Sequence, residues 1–309
     1  MITYEKCRLC GHNCGIDRTK RHGKCHIDAT PRIARADLHL WEEPPITGKN
    51  GSGTIFFSGC SLGCIYCQNH KISRGAYGRK VSDDELVRLM LSLAERGATN
   101  INFVTPTHFI PTLARVIPEA KRQGLTLPVV YNTSSYERVE SLRMLDGLID
   151  IYLPDLKYMD SRLALRYSGA EDYPEVAMAA IDEMMRQCPT PVLSDTPAPS
   201  PASEENEPTP VLLRGVLCRV LVLPRAVANA CLAVSHFYRK YGERIYISLL
   251  GQYTPMAGMP PPLNRRITAG EYRRVVEYTQ KLGVTKAFVQ SLDVADESFI
   301  PDFYEEISM

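Results

Sequence analysis

The feature that most restricts this chain is a trio of thiols on one short loop. Cys60, Cys64 and Cys67 stand in the spacing C-x3-C-x2-C within Phe57-Ser58-Gly59-Cys60-Ser61-Leu62-Gly63-Cys64-Ile65-Tyr66-Cys67-Gln68-Asn69. The preceding run Thr54-Ile55-Phe56-Phe57 reads as a strand, which puts the thiols on a strand-end loop. Seven of the ten cysteines fall in the first quarter of the chain at short spacings, and in a reducing compartment such clustering points to metal ligation before disulfides. Thiolates are the usual ligands of iron–sulfur clusters, and three of them leave one iron of a four-iron cluster open to an external chelating molecule. The competing reading is a closed structural site, in which Cys188, Cys218 or Cys231 supplies a fourth ligand for zinc or a ferredoxin-type cluster.

Beyond the loop, short apolar runs alternate with helical patterns. Strands are predicted at Asn100–Val104, Leu127–Tyr131, Ile149–Leu153, Gly215–Leu223, Arg244–Leu250 and Thr285–Gln290. Helices are predicted from Ser82, with Glu85 completing a capping box, and over Tyr136–Leu145, Ala226–Tyr241 and Ala269–Leu282. Repeated strand-then-helix units imply an α/β fold with a parallel sheet, open or curled into a barrel. Residues 1–53 have little periodicity and read as a small cysteine-rich lead-in, 54–290 as the main domain, and 291–309 as a C-terminal tail. Within the domain, 188–213 is rich in proline, serine and glutamate and predicts a flexible surface insertion.

Composition excludes several classes. Lys and Arg number 36 against 35 Asp and Glu, a net charge of +1, which argues against a nucleic-acid-binding surface. No window is apolar enough to span a membrane and the N-terminus lacks a signal-peptide pattern, so a cytoplasmic location is expected.

The cysteine loop, with aromatic Tyr66 before its last cysteine, resembles the radical S-adenosylmethionine (SAM) superfamily. The run CIYCQN is similar to the cluster loop of pyruvate formate-lyase activating enzymes. The segments LHLWEEPPITG, NFVTPTHF, YNTSSYE, DIYLPDLKY, RVLVLP and SLLGQYTP extend a likeness to iron–sulfur proteins homologous to those activases. The resemblance implies a partial (β/α)6 radical SAM barrel with Cys60, Cys64 and Cys67 on a [4Fe–4S] cluster. It also implies reductive cleavage of SAM to a 5′-deoxyadenosyl radical that abstracts hydrogen, as an oxidoreductase and in the manner of a glycyl-radical activating enzyme.

By the same likeness, Tyr66, Asn69, Thr105, Thr107, Asn132, Asp155, Lys157, Arg219, Gln252 and Tyr253 are expected around SAM. Thr105-Pro106-Thr107-His108 stands where activases have Gly-Gly-Glu, and Val220 follows Arg219 where relatives commonly have His. An electron donor such as flavodoxin or ferredoxin is implied, as is a glycyl-radical enzyme or other protein substrate. Radical modification of a small molecule or peptide is the alternative activity, and a non-catalytic iron–sulfur or zinc scaffold the alternative class.

Cys7, Cys10, Cys14 and Cys25 give four thiolates in nineteen residues, enough for a zinc site or a second iron–sulfur cluster. His12, His22 and His26 read more simply as loop histidines, though each can replace a thiolate, and His70 and His108 as histidines that cap a backbone carbonyl.

Overall fold

Short apolar runs bounded by turns lie side by side as parallel strands, and the helical stretches between them carry the chain back along one face. The computed structural model describes residues 3–75, 77–201 and 208–290, together with Phe303. The expected C-terminal tail therefore lies outside the described residues apart from Phe303.

The N-terminal part supplies strand β1 (Arg32–His39) and the short helix α1 (Pro44–Thr47). Strand β2 (Ser52–Phe57) follows, then the cysteine loop, α2 (His70–Ser73), β3 (Arg79–Lys80) and α3 (Asp83–Glu95). Three further units are β4 (Ile101–Val104) with α4 (Ile110–Arg122), β5 (Val129–Thr133) with α5 (Val139–Leu142), and β6 (Ile151–Pro154) with α6 (Ser161–Ser168) and α7 (Tyr173–Gln187). After the short strands β7 (Val192–Leu193), β8 (Ala198–Pro199) and β9 (Pro208–Thr209) come β10 (Leu212–Leu221) with α8 (Val227–Tyr241), β11 (Tyr246–Leu250) with α9 (Ala269–Lys281), and β12 (Ala287–Val289).

The sheet order is β12-β11-β10-β6-β5-β4-β2-β1-β3, and every neighbour pair from β2 to β12 is parallel. Each new strand is added on the same side, the progression that curls a sheet toward a barrel. The inner face closes on one chain segment. Ile46 of α1 packs with Val130, Ile151, Leu153, Leu212 and Leu217. Just before it, Glu42 meets side chains of β4, β5 and β10, and Glu43 meets one of β11. Residues 42–47 thus fill the lumen, and the strands curl round them.

Local signals explain several elements. Ser82 and Glu85 form the predicted capping box at α3, with Glu85 N–H donating to Ser82 Oγ (3.2 Å) and Ser82 N–H to Glu85 Oε2 (2.8 Å). Thr268 and Glu271 repeat it at α9.

The structure departs from the sequence pattern in three places. Residues 32–39, expected to lack regular structure, pair antiparallel with β2 and extend the sheet, with Asp37 opposite Thr54. The helix expected over Tyr136–Leu145 starts only at Val139 and becomes a 3₁₀ turn at Arg143–Leu145, because Tyr136 and Glu137 are held by the N-terminal segment. The Gly11 N–H donates to Tyr136 O at 3.1 Å, and Cys10 bridges Glu137. Part of the stretch expected as a flexible insertion is paired: β7 lies antiparallel to β10, and β8 to β9. Among the described residues no helix is long and apolar enough to cross a membrane.

Ile46 is fully buried in the lumen, so truncating it leaves a void that the surrounding strands close only in part. Ile46→Ala is expected to lose about 2–4 kcal/mol in urea unfolding; a loss under about 1 kcal/mol contradicts the lumen-filling role.

Candidate active site

Because the strands are parallel, their C-terminal ends share one rim, and the loops that follow them converge on one cavity. The cysteine loop leaves β2 through Gly59, at φ +83, where an added Cβ would come within 2.7 Å of Cys25 O. No side chain fits there without displacing backbone. The loop then turns at Gly63, whose N–H points at Cys60 Sγ (3.4 Å), while Ser168 of α6 donates to Cys64 Sγ (3.1 Å). Burial pushes the Cys60 thiol up to about 12, and the neighbouring Cys67 and Cys64 thiols add to the shift.

Tyr66 is buried within an aromatic box of Tyr158, Tyr167 and Tyr253, its ring edge-on to each, and it accepts a hydrogen bond from the Tyr158 hydroxyl (2.8 Å). Gln68 Nε2 donates to Gln252 O (2.9 Å), tying the cysteine loop to the segment after β11.

Across the cavity lies a chain of paired charges. Arg219 of β10 donates from Nε to Asp155 Oδ1 and from Nη2 to Asn132 Oδ1, both at 2.6 Å. Lys157 Nζ donates to the other Asp155 oxygen at 2.8 Å. Glu42 accepts from Asn102 Nδ2 (3.1 Å) and Asn132 Nδ2 (3.2 Å), with Arg219 Nη1 at 3.5 Å. Burial pushes Asp155 upward, but the Arg219 and Lys157 cations outweigh it and hold the carboxyl below its usual range. Buried ion pairs repay their desolvation poorly, so a network of this kind is better explained by what it positions than by stability.

The expected residues Cys60, Cys64, Cys67, Tyr66, Asn69, Thr105, Asn132, Asp155, Lys157, Arg219, Gln252 and Tyr253 all line this one cavity. Thr107 does not. It is buried in the 3₁₀ turn after β4, and its hydroxyl donates to the buried carboxyl of Glu137 (2.5 Å). Thr105 does face the cavity and holds φ +57, an uncommon conformation for a β-branched residue. His108 caps the Ser58 carbonyl through Nε2 at 2.8 Å, and burial, then the Arg18 charge, lowers it to about 3. Cys7, Cys10, Cys14 and Cys25 do not line the cavity. Neither do Cys188, Cys218 and Cys231, which leaves the three loop thiols without a fourth cysteine in its lining.

Among the described residues no three His, Cys, Asp or Glu side chains already share the coordination shell of a single ion. A cluster that takes one thiolate per iron makes no such demand.

Residues 54–196 match the radical SAM superfamily in sequence. The chain carries a radical SAM domain. Such a domain implies a [4Fe–4S] cluster and SAM, and the donor set of three free thiols beside a cavity lined by paired charges fits both. A protein of Methanocaldococcus jannaschii, itself uncharacterised, is 25% identical over 291 residues, covering 90% of this chain and 75% of its own. HydG, a maturase of the [FeFe]-hydrogenase, has a similar fold, with TM-score 0.51 and 17% identity over 76% of this chain and 50% of its own. A domain of pyruvate-formate lyase-activating enzyme from Bacteroides vulgatus aligns with TM-score 0.38 and 16% identity, over 60% of this chain and 91% of that one.

His39, Trp41, Glu42 and Gln68 also line the cavity of the radical SAM domain and were not among the expected contacts. Next to them, Glu43 is part-buried and accepts from Ser248 Oγ (2.8 Å). Burial raises its carboxyl from 4.5 to about 7 despite the opposing Arg219 charge. Below the ordinary value the group is protonated in both folded and unfolded chains and costs nothing. Between 4.5 and about 7 the unfolded chain releases the proton and the folded chain keeps it, so stability falls as pH rises. The full penalty above that window is on the order of 3 kcal/mol. Glu43→Gln is therefore expected to gain melting temperature relative to the parent between pH 5 and pH 8, and a constant difference across that range contradicts the assignment.

Proposed function

We propose that the chain is a radical SAM enzyme of activating-enzyme type, with Cys60, Cys64 and Cys67 holding the [4Fe–4S] cluster and the cavity beside them holding SAM. The observation that carries this reading is that three thiols and the Arg219–Asp155–Lys157 network line one cavity, while no other cysteine lines it. When bound, the cluster and SAM together supply one-electron cleavage of the sulfonium to methionine and a 5′-deoxyadenosyl radical that abstracts a hydrogen atom.

The protein's own residues orient and exclude. Asp155 is kept ionised by two cations, which suits it to accept hydrogen bonds from SAM's hydroxyl or amino groups, and Lys157 and Arg219 offer positive charge to its carboxylate. Asn132, fixed by Arg219 and Glu42, and the strained Thr105 complete the polar side, with Asn69 and Gln252 on the loops above. Tyr66 and Tyr253, packed edge to face, keep water from the cluster end.

Because residues 42–47 fill the lumen from below, the hydrogen donor approaches from the rim, past Trp41, which is 48% exposed. The likeness of CIYCQN to activase loops favours a glycyl-radical enzyme or another protein as that donor, with a flavodoxin- or ferredoxin-type reductant.

Anaerobic reconstitution with iron and sulfide, then dithionite and SAM, is expected to yield 5′-deoxyadenosine from the parent and only background from Cys64→Ala. Asp155→Asn is expected to weaken SAM binding by 10-fold or more, since it strips the shared carboxylate from two largely enclosed cations. A loaded, reducible cluster in the parent that yields no 5′-deoxyadenosine with several reductants contradicts the enzymatic reading in favour of a scaffold.

A further inference from the structure

Arg18 is fully buried, and it has no carboxylate within ion-pair distance among the described residues. Its guanidinium donates to the carbonyls of Ile27 (3.3 Å), His108 (2.5 Å) and Asp28 (2.6 Å) and lies against the rings of Tyr4 and Phe109. Carbonyls and ring faces satisfy the donors and offset part of the charge, but no formal anion stands beside it among the described residues. A buried cation without a paired anion is costly to hold.

The one remaining neighbour of Arg18 in this set is sulfur. Arg18 Nη1 is 4.0 Å from Cys7 Sγ. A Cβ placed on Gly23 would meet Cys25 Sγ at 3.6 Å, Cys14 Sγ at 3.7 Å and Arg18 Cδ at 3.7 Å, so two more thiols and the same arginine meet at one point. Cys10 stands at the turn of the hairpin that carries Cys7 and Cys14, with Asn13 N–H donating to Cys10 O at 3.0 Å.

The backbone is folded to bring this about. Cys7 N–H donates to Ile16 O and Gly15 N–H to Cys7 O, both at 2.8 Å, closing a hairpin whose tip turns at Cys10–Asn13. A second turn, in which His26 N–H donates to Gly23 O (3.0 Å), carries Cys25. Asn13, Gly15 and His26 all take positive φ, at 45, 66 and 61 degrees. All four cysteines are free thiols.

We infer that Cys7, Cys10, Cys14 and Cys25 hold a metal centre of their own, an iron–sulfur cluster or a tetrathiolate zinc ion, with Arg18 as its buried counter-cation. Four thiolates on either centre leave a net negative charge, which is what the guanidinium lacks. A four-iron cluster takes one thiolate per iron, whereas zinc would draw the thiols into one shell. The centre is built against the cysteine loop of the radical SAM domain: Cys60 N–H donates to Cys25 O at 3.3 Å, and Gly59 lies against Cys25 and Ile27. Cys10 and Gly11 hold the Glu137 and Tyr136 backbone beyond β5. This site is independent of the proposed SAM site, and its test removes that site first.

The experiment uses the full chain with Cys60, Cys64 and Cys67 all replaced by alanine, purified anaerobically and offered zinc alone or iron with sulfide. Bound metal and acid-labile sulfide are then counted. The expected result is about four iron and four sulfide, or about one zinc, retained per chain. Adding Cys14→Ser should abolish that stoichiometry, whereas adding Cys231→Ala should leave it unchanged. Arg18→Gln should raise the rate of metal loss to a chelator by 10-fold or more. A folded triple variant, monodisperse and with parental circular dichroism, that binds neither zinc nor iron in stoichiometric amount overturns the inference. So does retention of metal after Cys14→Ser. If the triple variant does not fold, the same counts on the parent and on Cys14→Ser alone decide it, since equal metal in the two contradicts the site.

Discussion

The guanidinium of Arg219 ties three distant parts of the chain together at the rim. It reaches Asp155 after β6, Asn132 on β5 and Glu42 ahead of α1, partners 64, 87 and 177 residues away in sequence. A cation on an inward-facing strand position cannot be buried alone, so the acidic and amide groups around it must be in place when the sheet curls. Its geometry couples the closing of the sheet to the building of the cavity wall. The same pairing keeps Asp155 ionised, so the polar side of the cavity has fixed charge rather than mobile side chains that would have to be ordered on binding.

Filling of the lumen by residues 42–47 decides where chemistry can occur. A parallel barrel usually fills its interior with strand side chains. Here the work is shared with Ile46, which packs against β5, β6 and β10, while Glu42 and Glu43 above it face the polar rim. The cavity is left as a layer at the C-terminal ends, between the cysteine loop and the charged strand ends. Thiols and paired charges on opposite sides suit a cofactor that must touch iron at one end and be held by hydrogen bonds at the other. The N-terminal segment packs on the outside of the cysteine loop through Cys25, so the loop is held on both sides.

Much of this was legible in the sequence, for physical reasons that differ from element to element. The cysteine loop declares itself because its ligands are local, and the Ser82–Glu85 cap because its partners are three residues apart. Asp155, Lys157 and Arg219 were found only through family likeness; as an isolated pattern they read as surface charge. Glu42 and Glu43 were missed as cavity groups because their partners are 60 to 205 residues distant, and nothing local marks two acids before Pro-Pro as entering a lumen. Strand β1 was missed because its burial does not alternate along its length. Helix α4 was not singled out, since Pro111 and Pro118 disguise an otherwise amphipathic run. Thr107 was expected at the cavity by position alone, and the 3₁₀ turn sends its hydroxyl to Glu137 instead.

On the proposed function, the three-thiolate centre leaves an iron open to SAM within the charged cavity. The most direct measurement is the electron paramagnetic resonance spectrum of the anaerobically reduced protein before and after SAM is added. A reduced-cluster signal is expected whose shape and g-values change with SAM, and in Asp155→Asn do so only at much higher SAM concentration. A reduced-cluster signal that stays the same at saturating SAM contradicts it.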